Sequence, residues 1–527
     1  MNPRVLVADP IAQDGIDLLD RSADVDVRTG LSLEALLEAI PAYDALVVRS
    51  ETKVTAEVID AGTRLQVIGR AGVGVDNIDI PAATRRGIVV VNAPTGNTIS
   101  AAEHTIGLML ALARHIPQAD ASMRAGEWQR SRFVGVELRG KILGVIGLGQ
   151  VGSEVARRAR GLDMCVLSVD PFVSEERARS LGVELVELNE LLGRADFIAV
   201  HTTLTQGTRG LIGAEEIAWM KPTVRLINTA RGGIIEEAAL VEAVRSGRIA
   251  GAAVDVFTQE PLQDVAIAQT PGIIVTPHLG ASTAEAQERV AVDVAEQILR
   301  ILAGEAAAYA VNAPLVAPET MTVVGPFLPA AELSGSMATQ LSEGQLQDVE
   351  IIYNGELALH DTGVLRAAVI RGLLRPISEE HVTIVNANLV AESRGLRIVE
   401  RKDPEESEGV SNLITVRVRT TAGGTTVSST VEHGSPRIVQ VDDLRVDLSP
   451  AGGYLLFCHN QDRPGMIGAI GMKMRDFDIN ISSMKVGRRQ ARGRALMVLE
   501  LDEAPTEDQL REIAAIPDIF SARLVRL

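Results

Sequence analysis

Cysteine and long apolar runs are scarce in this sequence. It has two cysteines among 527 residues, Cys165 and Cys458, and their wide separation matches no metal-ligand spacing. This usage favours a reducing, cytoplasmic compartment and predicts no cysteine metal site. No apolar run approaches the roughly 18 residues that a membrane span requires. The first ten residues lack a basic segment followed by an apolar one, so we expect neither a secretory signal nor a membrane span.

Positive charge and aromatic side chains are also in short supply. The 51 lysines and arginines face 69 acidic residues, which gives a formal net charge of −18. Nucleic acids and anionic membranes attract basic patches, so neither is expected as a general partner. A local cluster of arginines for a small anion remains compatible with this balance. Aromatic residues make up 3% and apolar residues 46%, so the cores should be aliphatic. The length predicts three or four domains.

Short buried strands alternate with helical patterns over the first 285 residues. The strand patterns of residues 1–97 are "RVLVAD", "ALVVRS", "LQVIGR" and "IVVVNA", and Ser32 is expected to cap the helix "SLEALLEAI". The strand patterns of residues 98–285 are "KILGVIGLG", "MCVLSVD", "DFIAVHT", "VRLINTA", "IAGAAVDVF" and "IIVTPH". This alternation is typical of parallel sheets with crossover helices. A further helix after residue 283 is long enough to return to the first domain.

The composition changes in the proline-rich stretch 312–329, which predicts a domain boundary. The part that follows mixes α and β patterns. The last 74 residues then show the order βαββαβ, which is typical of a small ferredoxin-like domain. We therefore predict an α/β protein whose segments are 1–97, 98–285, 286–317, 318–450 and 451–527.

Three glycines with G-x-G-x-x-G spacing follow an apolar strand. Gly147 permits a tight turn, Gly149 lets the backbone approach a pyrophosphate, and Gly152 allows close helix packing. Asp170 ends the next strand, 23 residues after Gly147. A carboxylate there accepts hydrogen bonds from a ribose and repels a 2′-phosphate. This context predicts NAD rather than NADP; the alternative is a glycine turn without a ligand.

Three ionisable residues follow strand patterns beyond the glycine motif. Arg231 comes after "LINTA", Glu260 after "AVDVFTQ" and His278 after "IIVTP". Hydride transfer from a carbinol needs a proton acceptor, a cation for a carboxylate or developing carbonyl, and a group that tunes the acceptor. Histidine, arginine and glutamate supply these functions, since a neighbouring carboxylate favours the protonated imidazole and fixes its tautomer. Taken singly, each of these residues could be an ordinary surface cation, loop acid or core histidine. Taken together with the cofactor motif, they favour a catalytic role.

These stretches together identify the chain as similar to the D-isomer-specific 2-hydroxyacid dehydrogenases, and to their long members with a C-terminal ACT domain. The motifs that carry the resemblance are "GRAGVGVDNID", "NAPTGNTISAAEH", "GVIGLGQVG", "NTARGGIIEE", "AAVDVFTQEP" and "TPHLGAST". The resemblance implies a Rossmann-like NAD domain, a flavodoxin-like substrate domain in two parts (1–97 and 286–317), an α+β intervening domain (318–450) and a ferredoxin-like ACT domain (451–527).

The resemblance also implies roles for individual residues. Arg231 would orient the substrate, Glu260 would pair with the histidine, and His278 would act as general acid/base. The implied cofactor contacts are Gly147, Gly149, Gln150, Val151, Gly152, Asp170, Thr202, Thr229, Asp255 and Gly280. The long members oxidise D-3-phosphoglycerate to 3-phosphohydroxypyruvate, so we expect that substrate, with Arg49 and Arg70 as cations for it and Asn97 near its carboxylate. A second anion site is implied for the intervening domain, with Arg437 as its candidate.

The C-terminal stretch "HNQDRPGMIGAIGMKMRDFDINI" resembles the ligand-binding turn of an ACT domain. Asn460 and Asp462 end the first strand, and a helix begins after Gly465, where its N-terminus favours a carboxylate. Asn480 starts the next strand and is expected to approach the same turn. The resemblance implies L-serine as effector at an interface between two ACT domains, and hence a homo-oligomer, dimer or tetramer. The alternative is an assembly module without a ligand.

Two other functions fit the same motifs. One is a dehydrogenase of another small 2-hydroxy acid such as glycerate, which the arginines of the first domain and the C-terminal domain disfavour. The other is an NAD-sensing interaction protein on the same fold, which catalytic turnover would exclude.

Overall fold

The computed structural model describes residues 2–263, 265–305, 307–314, 316–406, 409–449 and 452–527. Within these residues the strands form four β-sheets, of five, seven, six and four strands in chain order. The fold class is confirmed: two parallel α/β sheets come first, a mixed sheet follows, and a small antiparallel α+β domain comes last.

The first five strands build a sheet that we call, together with its helices, the first lobe. Its elements are β1 (Arg4–Val7), α1 (Gln13–Asp20), β2 (Asp24–Val27), α2 (Leu33–Ala39), β3 (Ala45–Val48), α3 (Ala56–Ala61), β4 (Val67–Arg70), α4 (Ile80–Arg85) and β5 (Val89–Asn92). All neighbours pair in parallel, in the order β2-β1-β3-β4-β5. Ser32 caps α2, because its side chain accepts the amide of Ala35.

The next seven strands form the second lobe. Its elements are α5 (Thr98–Arg114), α6 (Ile116–Arg124), β6 (Ile142–Ile146), α7 (Gln150–Gly161), β7 (Cys165–Val169), α8 (Glu175–Leu181), β8 (Glu184–Leu185), α9 (Leu188–Arg194), β9 (Phe197–Val200), α10 (Ala214–Trp219), β10 (Arg225–Asn228), α11 (Glu237–Arg245), β11 (Gly251–Val254) and β12 (Ile273–Val275). The strands are parallel and lie in the order β12-β11-β10-β9-β6-β7-β8. From β6 the chain first adds strands on one side of the sheet and then, from β9 onward, on the other. Open α/β sheets bind ligands at such a reversal, outside the carboxyl ends of the strands.

The register of the second sheet brings the ends of its strands to one level. Ile146 pairs with Val200, which pairs with Asn228, and Asn228 pairs with Val254. Val254 pairs in turn with Val275. The loops that follow β6, β9, β10, β11 and β12 therefore leave the sheet side by side, although the first and the last are more than 120 residues apart in sequence.

Helix α12 (Ala284–Leu302) returns from the second lobe to the first. Its buried residues Val290, Val294 and Ile298 share a core with Val5 and Val7 of β1. Gly69 of β4 makes room for the helix, because a Cβ there would lie 2.5 Å from a methyl group of Val294. The first lobe is therefore built from two separate stretches of the chain.

A mixed six-stranded sheet follows. Its elements are α13 (Pro318–Val324), α14 (Leu328–Leu341), β13 (Leu346–Gly355), α15 (Gly363–Leu374), α16 (Ala387–Ser393), β14 (Arg397–Asp403), β15 (Asn412–Thr420), β16 (Gly423–Glu432), β17 (Ser435–Val441) and β18 (Leu444–Leu448), in the order β14-β13-β15-β16-β17-β18. Much of the proline-rich stretch is helical: Pro318 and Pro329 lie in the first turns of α13 and α14, where an amide would have no helical acceptor.

The C-terminal domain consists of β19 (Tyr454–Gln461), α17 (Met466–Asp476), β20 (Ile481–Arg488), β21 (Arg494–Leu501), α18 (Glu507–Ala514) and β22 (Ile519–Arg526). The sheet is antiparallel with the order β20-β21-β19-β22. This is the ferredoxin-like βαββαβ arrangement that the sequence predicts.

The C-terminal sheet packs directly on the mixed sheet. Leu455, Phe457 and Leu496 of β19 and β21 belong to the same apolar cluster as Ile351 and Val416 of β13 and β15. The two domains therefore share a hydrophobic core. Removing the C-terminal domain would expose apolar surface of the mixed sheet to water.

Several elements were not predicted from the sequence, namely α1, β2, α4, α6, α8, β8 and α10. Strand β2 has the sequence DVDV and β8 is only two residues long, so neither shows a buried-strand pattern. The predicted boundary between residues 450 and 451 lies outside the described residues. None of the described helices is long and apolar enough to cross a membrane.

Candidate active site

The glycine loop between β6 and α7 has the shape that a dinucleotide needs. Gly147 has φ +94°, and a Cβ there would lie 2.7 Å from the carbonyl oxygen of His201. A Cβ on Gly152 would lie 2.0 Å from the carbonyl oxygen of Gly147, so the helix packs tightly against the loop. No heavy atom outside its own neighbourhood lies within 4 Å of the Cβ position of Gly149, among the described residues. That side of the loop is open, and Gln150 and Val151 follow in the first turn of α7, where amides lack helical acceptors.

Asp170 follows β7 and is tied to the glycine loop. One carboxylate oxygen accepts the amide of Leu148 at 2.8 Å, and the other accepts the amide of Phe172 at 2.9 Å. Each oxygen keeps a further lone pair for a ribose hydroxyl. The carboxylate therefore stands where the sequence predicts a ribose-binding acid, and it also shapes the loop.

The other expected cofactor contacts lie along the same edge of the sheet. Thr202 follows β9, and its amide adjoins the Cβ position of Gly147. Thr229 follows β10 and is hydrogen-bonded through its hydroxyl to Thr105 of α5 at 2.7 Å. Gly280 is buried after β12. The residues present therefore fit a dinucleotide stretched along the carboxyl ends of β6, β9, β10 and β12.

His278 and Glu260 form a close pair. Nδ1 of His278 lies 2.7 Å from Oε2 of Glu260, and the two side chains are 41% and 37% exposed. The other oxygen of Glu260 accepts the amide of Phe257 at 3.0 Å. Burial acts to raise the pKa of Glu260, but the hydrogen bonds from His278 and Phe257 outweigh it and hold the pKa below its usual value of 4.5. The pair leaves Nε2 of His278 as the ring nitrogen that can exchange a proton with a substrate hydroxyl.

Asp255 is fully buried, and its carboxylate binds the loop that carries His278. It accepts the Thr276 hydroxyl at 2.5 Å, the Leu279 amide at 2.8 Å and the Gly280 amide at 2.9 Å. Burial acts to raise the pKa of Asp255, but hydrogen bonds, that of His104 first, lower it overall. A direct contact of Asp255 with the cofactor stays a prediction.

Arg231 reaches across from the second lobe to the first. Its Nε donates to Oδ2 of Asp76 at 3.1 Å, and one terminal nitrogen donates to the carbonyl of Ala230 at 2.7 Å. The loop of the first lobe closes on this guanidinium, since a Cβ on Gly74 would lie 2.0 Å from its other terminal nitrogen. The loop therefore lies directly against Arg231, and a larger residue at position 74 would require the guanidinium to move.

Arg70 is a cation with unused hydrogen-bonding capacity. Its Nε is buried without a hydrogen-bond partner among the described residues. Burial, together with the charges of Arg231 and Arg49, lowers its pKa to about 10. The loop wraps Arg70 too, because a Cβ on Gly72 would lie 1.6 Å from one of its terminal nitrogens. Cations that repel one another around an unpaired N–H form a site for an anion.

Arg49 is held in place through its backbone. Its amide donates to Asp9 at 2.6 Å, and the buried Asp9 also accepts the Thr52 amide at 3.1 Å. One terminal guanidinium nitrogen of Arg49 lies 3.4 Å from the Pro10 carbonyl, a weak contact that leaves the other donors free to turn toward the cleft. Asn97 is the N-cap residue of α5 but makes no side-chain capping bond. Its side-chain amide is not committed to the helix end.

Sequence reasoning missed several residues of this site. Asp76 lies inside the stretch "GRAGVGVDNID", and His104 and Thr105 lie at the end of "NTISAAEH" and just after it. Asp9 and Thr276 complete the set. Each contacts a predicted site residue that is distant in sequence, so no local spacing could have pointed to it. Within the described residues no group of three or more His, Cys, Asp or Glu side chains could hold a metal ion.

The fold and this site define an NAD-dependent dehydrogenase of the D-isomer-specific 2-hydroxyacid class. The model for the "D-isomer specific 2-hydroxyacid dehydrogenase, NAD binding domain" matches residues 106–280, that for the "D-3-phosphoglycerate dehydrogenase intervening domain" matches residues 323–442, and that for the ACT domain matches residues 454–518. The chain belongs to the D-3-phosphoglycerate dehydrogenase family.

Relatives along the whole chain support this membership. A D-3-phosphoglycerate dehydrogenase of Synechocystis sp. is 46% identical over 99% of this chain and 95% of its own length. Another, from Methanocaldococcus jannaschii, is 45% identical over 99% of this chain and 100% of its own.

Solved structures match more than half of the chain. A glyoxylate reductase from Paecilomyes thermophila is 29% identical over 59% of this chain and 98% of its own, with a TM-score of 0.54. A D-lactate dehydrogenase from Aquifex aeolicus, solved with NAD and lactic acid, is 27% identical over 57% of this chain and 96% of its own, with a TM-score of 0.52.

The expected effector residues do not meet within one chain. Asn460 pairs with Ala495, whereas Ile481, next to Asn480, pairs with Leu501 at the other end of β21. Six residues of strand separate these ends, which is about 20 Å. The expectation that Asn480 approaches the turn at Asn460 and Asp462 is therefore wrong for a single chain, because antiparallel pairing sends the start of β20 to the opposite end of the sheet.

The two residues at the turn differ in what they leave unsatisfied. Asn460 is buried, and its Oδ1 has no hydrogen-bond partner among the described residues. The carboxylate of Asp462 accepts the Arg492 amide at 3.0 Å and a terminal nitrogen of Arg488 at 2.6 Å. These contacts, the Arg492 amide first, hold the pKa of Asp462 below its usual value. Asp462 therefore closes the hairpin of β20 and β21, and Asn460 keeps a free acceptor.

Arg437 is committed to carboxylates. It forms an ion pair with Glu432, and its Nε lies 2.7 Å from Asp447. It lines a cavity of about 640 Å³ between the mixed sheet and β20. With its charge compensated twice, Arg437 is a poor anion receptor, and the expected second anion site gains no support from it.

Proposed function

We propose that this protein oxidises D-3-phosphoglycerate to 3-phosphohydroxypyruvate with NAD, the first step of phosphorylated L-serine biosynthesis. The observation that carries the proposal is the cluster that Arg49 and Arg70 of the first lobe form with Arg231, which reaches across from the second lobe. The substrate has a phosphate and a carboxylate, and it needs more positive charge than a simple 2-hydroxy acid does. The names of the full-length relatives point to the same substrate.

Each catalytic group has one task in this proposal. The guanidinium of Arg231 binds the substrate carboxylate and the carbonyl oxygen as it forms. Nε2 of His278 accepts the proton of the hydroxyl group, and Glu260 stabilises the imidazolium that results. Arg49 and Arg70 hold the phosphate, and Asn97 donates to the carboxylate.

When bound, NAD supplies the hydride acceptor. In the proposal the amides of Gln150 and Val151 receive the pyrophosphate, and Asp170 receives the ribose. Thr202, Thr229 and Gly280 border the rest of the dinucleotide, beside the open face of Gly149.

A substrate panel tests the proposal. Turnover of D-3-phosphoglycerate, D-glycerate and D-lactate with NAD should be followed at the nicotinamide absorbance band. We expect kcat/KM for the phosphorylated substrate to exceed the others by at least tenfold, and Arg70→Gln to remove most of that preference. Hydrogen bonds to charged groups are worth about 1.5–3 kcal/mol, or about 10–150-fold. A preference for glycerate would favour the dehydrogenase of another 2-hydroxy acid, and no turnover at all would favour an NAD-sensing interaction protein.

We also propose a homo-oligomer, a dimer or tetramer. Trp128 and Val134 are 75% and 77% exposed, and Ile116 and Met123 of α6 are more than half exposed. Large apolar side chains grouped along one stretch of a chain favour burial against a second copy. Analytical ultracentrifugation of the protein and of Trp128→Glu tests this, and an unchanged oligomer in the variant would contradict it.

L-Serine is proposed as an effector between two C-terminal domains. If β20 pairs antiparallel with β20 of a second copy, the Asn480 end of one chain meets the Asn460 and Asp462 end of the other. The buried Oδ1 of Asn460 lacks a hydrogen-bond partner among the described residues near that end, and the N-terminus of α17 favours the serine carboxylate. Binding lowers activity only if serine prefers a less active arrangement of the domains.

The cellular compartment and the domain limits remain proposals as well. We propose a cytoplasmic location, from the two unpaired cysteines and the metabolic substrate. We propose 1–97 with 286–317 as the substrate domain, 98–285 as the NAD domain, 318–450 as the intervening domain and 451–527 as the regulatory domain. Limited proteolysis with mass spectrometry tests these limits.

A further inference from the structure

Helix α5 carries two neighbouring polar residues that touch the strand ends of the active site. Nε2 of His104 lies 3.2 Å from the Thr276 hydroxyl and 3.2 Å from Oδ1 of Asp255. The hydroxyl of Thr105 lies 2.7 Å from that of Thr229. Thr276 is two residues before His278, and Thr229 is two residues before Arg231. One helix turn therefore contacts the segments that present both groups.

The loop of His278 depends on Asp255 for its shape. His278 has φ +54°, a left-handed conformation that is unfavourable for a residue with a side chain. Its amide donates to the Asp255 carbonyl at 2.8 Å, while the Asp255 carboxylate accepts the next two amides, those of Leu279 and Gly280. Asp255 thus holds the backbone at His278 and immediately after it.

The hydrogen-bond pattern assigns the proton of His104. The Asp255 carboxylate can only accept, so the Thr276 hydroxyl uses its one proton to bind it. The Thr276 oxygen can then bind His104 only as an acceptor. Nε2 of His104 therefore carries a hydrogen, which points between Thr276 and Asp255.

The burial of Asp255 explains why the hydrogen bond from His104 is important for its carboxylate. Asp255 is 0% exposed, and a buried carboxylate is costly unless its lone pairs are used. Its donors are the Thr276 hydroxyl, two loop amides and His104. Of these, His104 is the only side-chain donor from outside the loop itself, among the described residues.

We propose that His104 is a positioning residue for catalysis: its Nε2–H anchors Asp255 and Thr276 to α5, and through them keeps His278 in its strained conformation beside Glu260. The inference rests on the proposed role of His278 as general acid/base. His104 itself takes no part in proton transfer to the substrate.

Paired variants of the full-length enzyme test this role. His104→Leu removes the donor at similar volume, and His104→Gln restores an N–H at a similar reach. Glu103→Gln, on the exposed neighbour that lies 3.4 Å from Arg158, is the matched control on the same helix. kcat, KM, NAD affinity and the unfolding temperature should be measured for each, with the pH–rate profile of oxidation.

We expect His104→Leu to lower kcat about 10–100-fold, since small displacements of a catalytic group have effects of this size. KM and the Kd for NAD should stay within about threefold. The acid limb of the pH–rate profile should move to lower pH, because a displaced His278 loses the Glu260 charge that favours its protonated form. His104→Gln should recover most of kcat and the original profile.

Three outcomes would overturn the inference. In the first, His104→Leu keeps kcat within twofold of the wild type and has an unchanged pH–rate profile. In the second, its loss of kcat is matched by equal losses of NAD affinity and thermal stability, and in the third, His104→Gln is as impaired as His104→Leu. His278→Ala separates the inference from the proposed function. Normal turnover of His278→Ala would refute the proposed role of His278 itself. An inactive His278→Ala beside a normal His104→Leu would refute only the role of His104.

Discussion

Oδ2 of Asp76 accepts a hydrogen bond from Nε of Arg231 at 3.1 Å, and the two residues belong to different lobes. Asp76 also acts to raise the pKa of Arg70, so its carboxylate serves as a counter-ion to two of the clustered cations. In the proposed function, a substrate with several negative charges binds beside this carboxylate. Asp76 would then orient Arg231 and oppose the substrate charge at the same time.

We expect Asp76→Asn to lower KM for D-3-phosphoglycerate about two- to fivefold, because the amide still accepts from Arg231 but no longer repels the substrate. Asp76→Ala should lower kcat as well, since Arg231 loses its partner. Initial rates at two ionic strengths check both, and the gain in Asp76→Asn should shrink as salt screens charge. A higher KM for Asp76→Asn would contradict the prediction that the Asp76 charge opposes substrate binding.

The Glu260–His278 pair predicts a pH effect. The pKa of Glu260 lies below its usual value, so its charge is present above about pH 4.5 and is lost only as pH falls through the lowered pKa. Glu260→Gln removes that charge at every pH and favours neutral imidazole. The acid limb of the oxidation rate should then move to lower pH, while the maximal rate falls. His278→Ala should lose about 10²–10⁴-fold in kcat and still bind NAD. If the acid limb of the pH–rate profile of Glu260→Gln stayed at the wild-type pH, the proposed pairing of Glu260 with His278 would be contradicted.

Asp170 is expected to govern the choice between NAD and NADP. Asp170→Ala should weaken NAD binding and narrow the preference over NADP, because repulsion of a 2′-phosphate disappears with the carboxylate. Asp170→Asn keeps one acceptor oxygen, which can still bind the Leu148 amide, but it loses the acceptor for Phe172. It should therefore retain more NAD affinity than Asp170→Ala while losing the repulsion. Kinetics with both cofactors measure the ratio, and an unchanged ratio in both variants would place the carboxylate away from the ribose.

His201 predicts how stability depends on pH. Burial lowers its pKa to about 4 from 6.5, and its Nε2 has no partner among the described residues. The unfolded chain therefore binds more protons between about pH 4 and 6.5, so stability should fall as pH drops through this window. The loss between pH 7 and pH 5 should be about 2 kcal/mol. Unfolding temperatures at both pH values should differ less in His201→Leu than in the wild type, whereas His381→Leu, at an exposed site, should behave like the wild type.

The opposite placement of Asn460 and Asn480 predicts that serine sites are shared between chains. Asn460→Ala and Asn480→Ala should each abolish serine inhibition as homo-oligomers. A hybrid of the two variants should regain it in part, because one of two sites then has both asparagines. Truncation before the C-terminal domain is a poor test, since it would expose the core shared by Leu455 and Ile351. The effect is measured as the activity of tagged hybrids in the presence of serine. A hybrid that serine does not inhibit would argue against a shared site, and a wild-type enzyme that serine does not inhibit would argue against serine as an effector.

The parts of the protein with local sequence signals could be predicted from the sequence alone. The strand, the glycine spacing and the acid at 170 lie within 29 residues and form one βαβ unit, so pattern and chemistry could be read together. Arg231, Glu260 and His278 could be predicted because each follows a strand, and parallel strands present their ends at one edge. The ferredoxin-like order of the last domain was local in the same sense.

The distant groups that complete the site are visible only in the folded chain. Asp76 meets Arg231 across 155 residues, and His104 meets Thr276 across 172. No spacing encodes such contacts, since they depend on how two lobes and a connecting helix pack. The same limit explains the error at Asn480: proximity along the chain placed it near the turn, but antiparallel pairing carries it to the far end of the sheet. Hydrogen bonds between distant side chains are set by packing, and packing is determined by the whole chain rather than by any stretch of it.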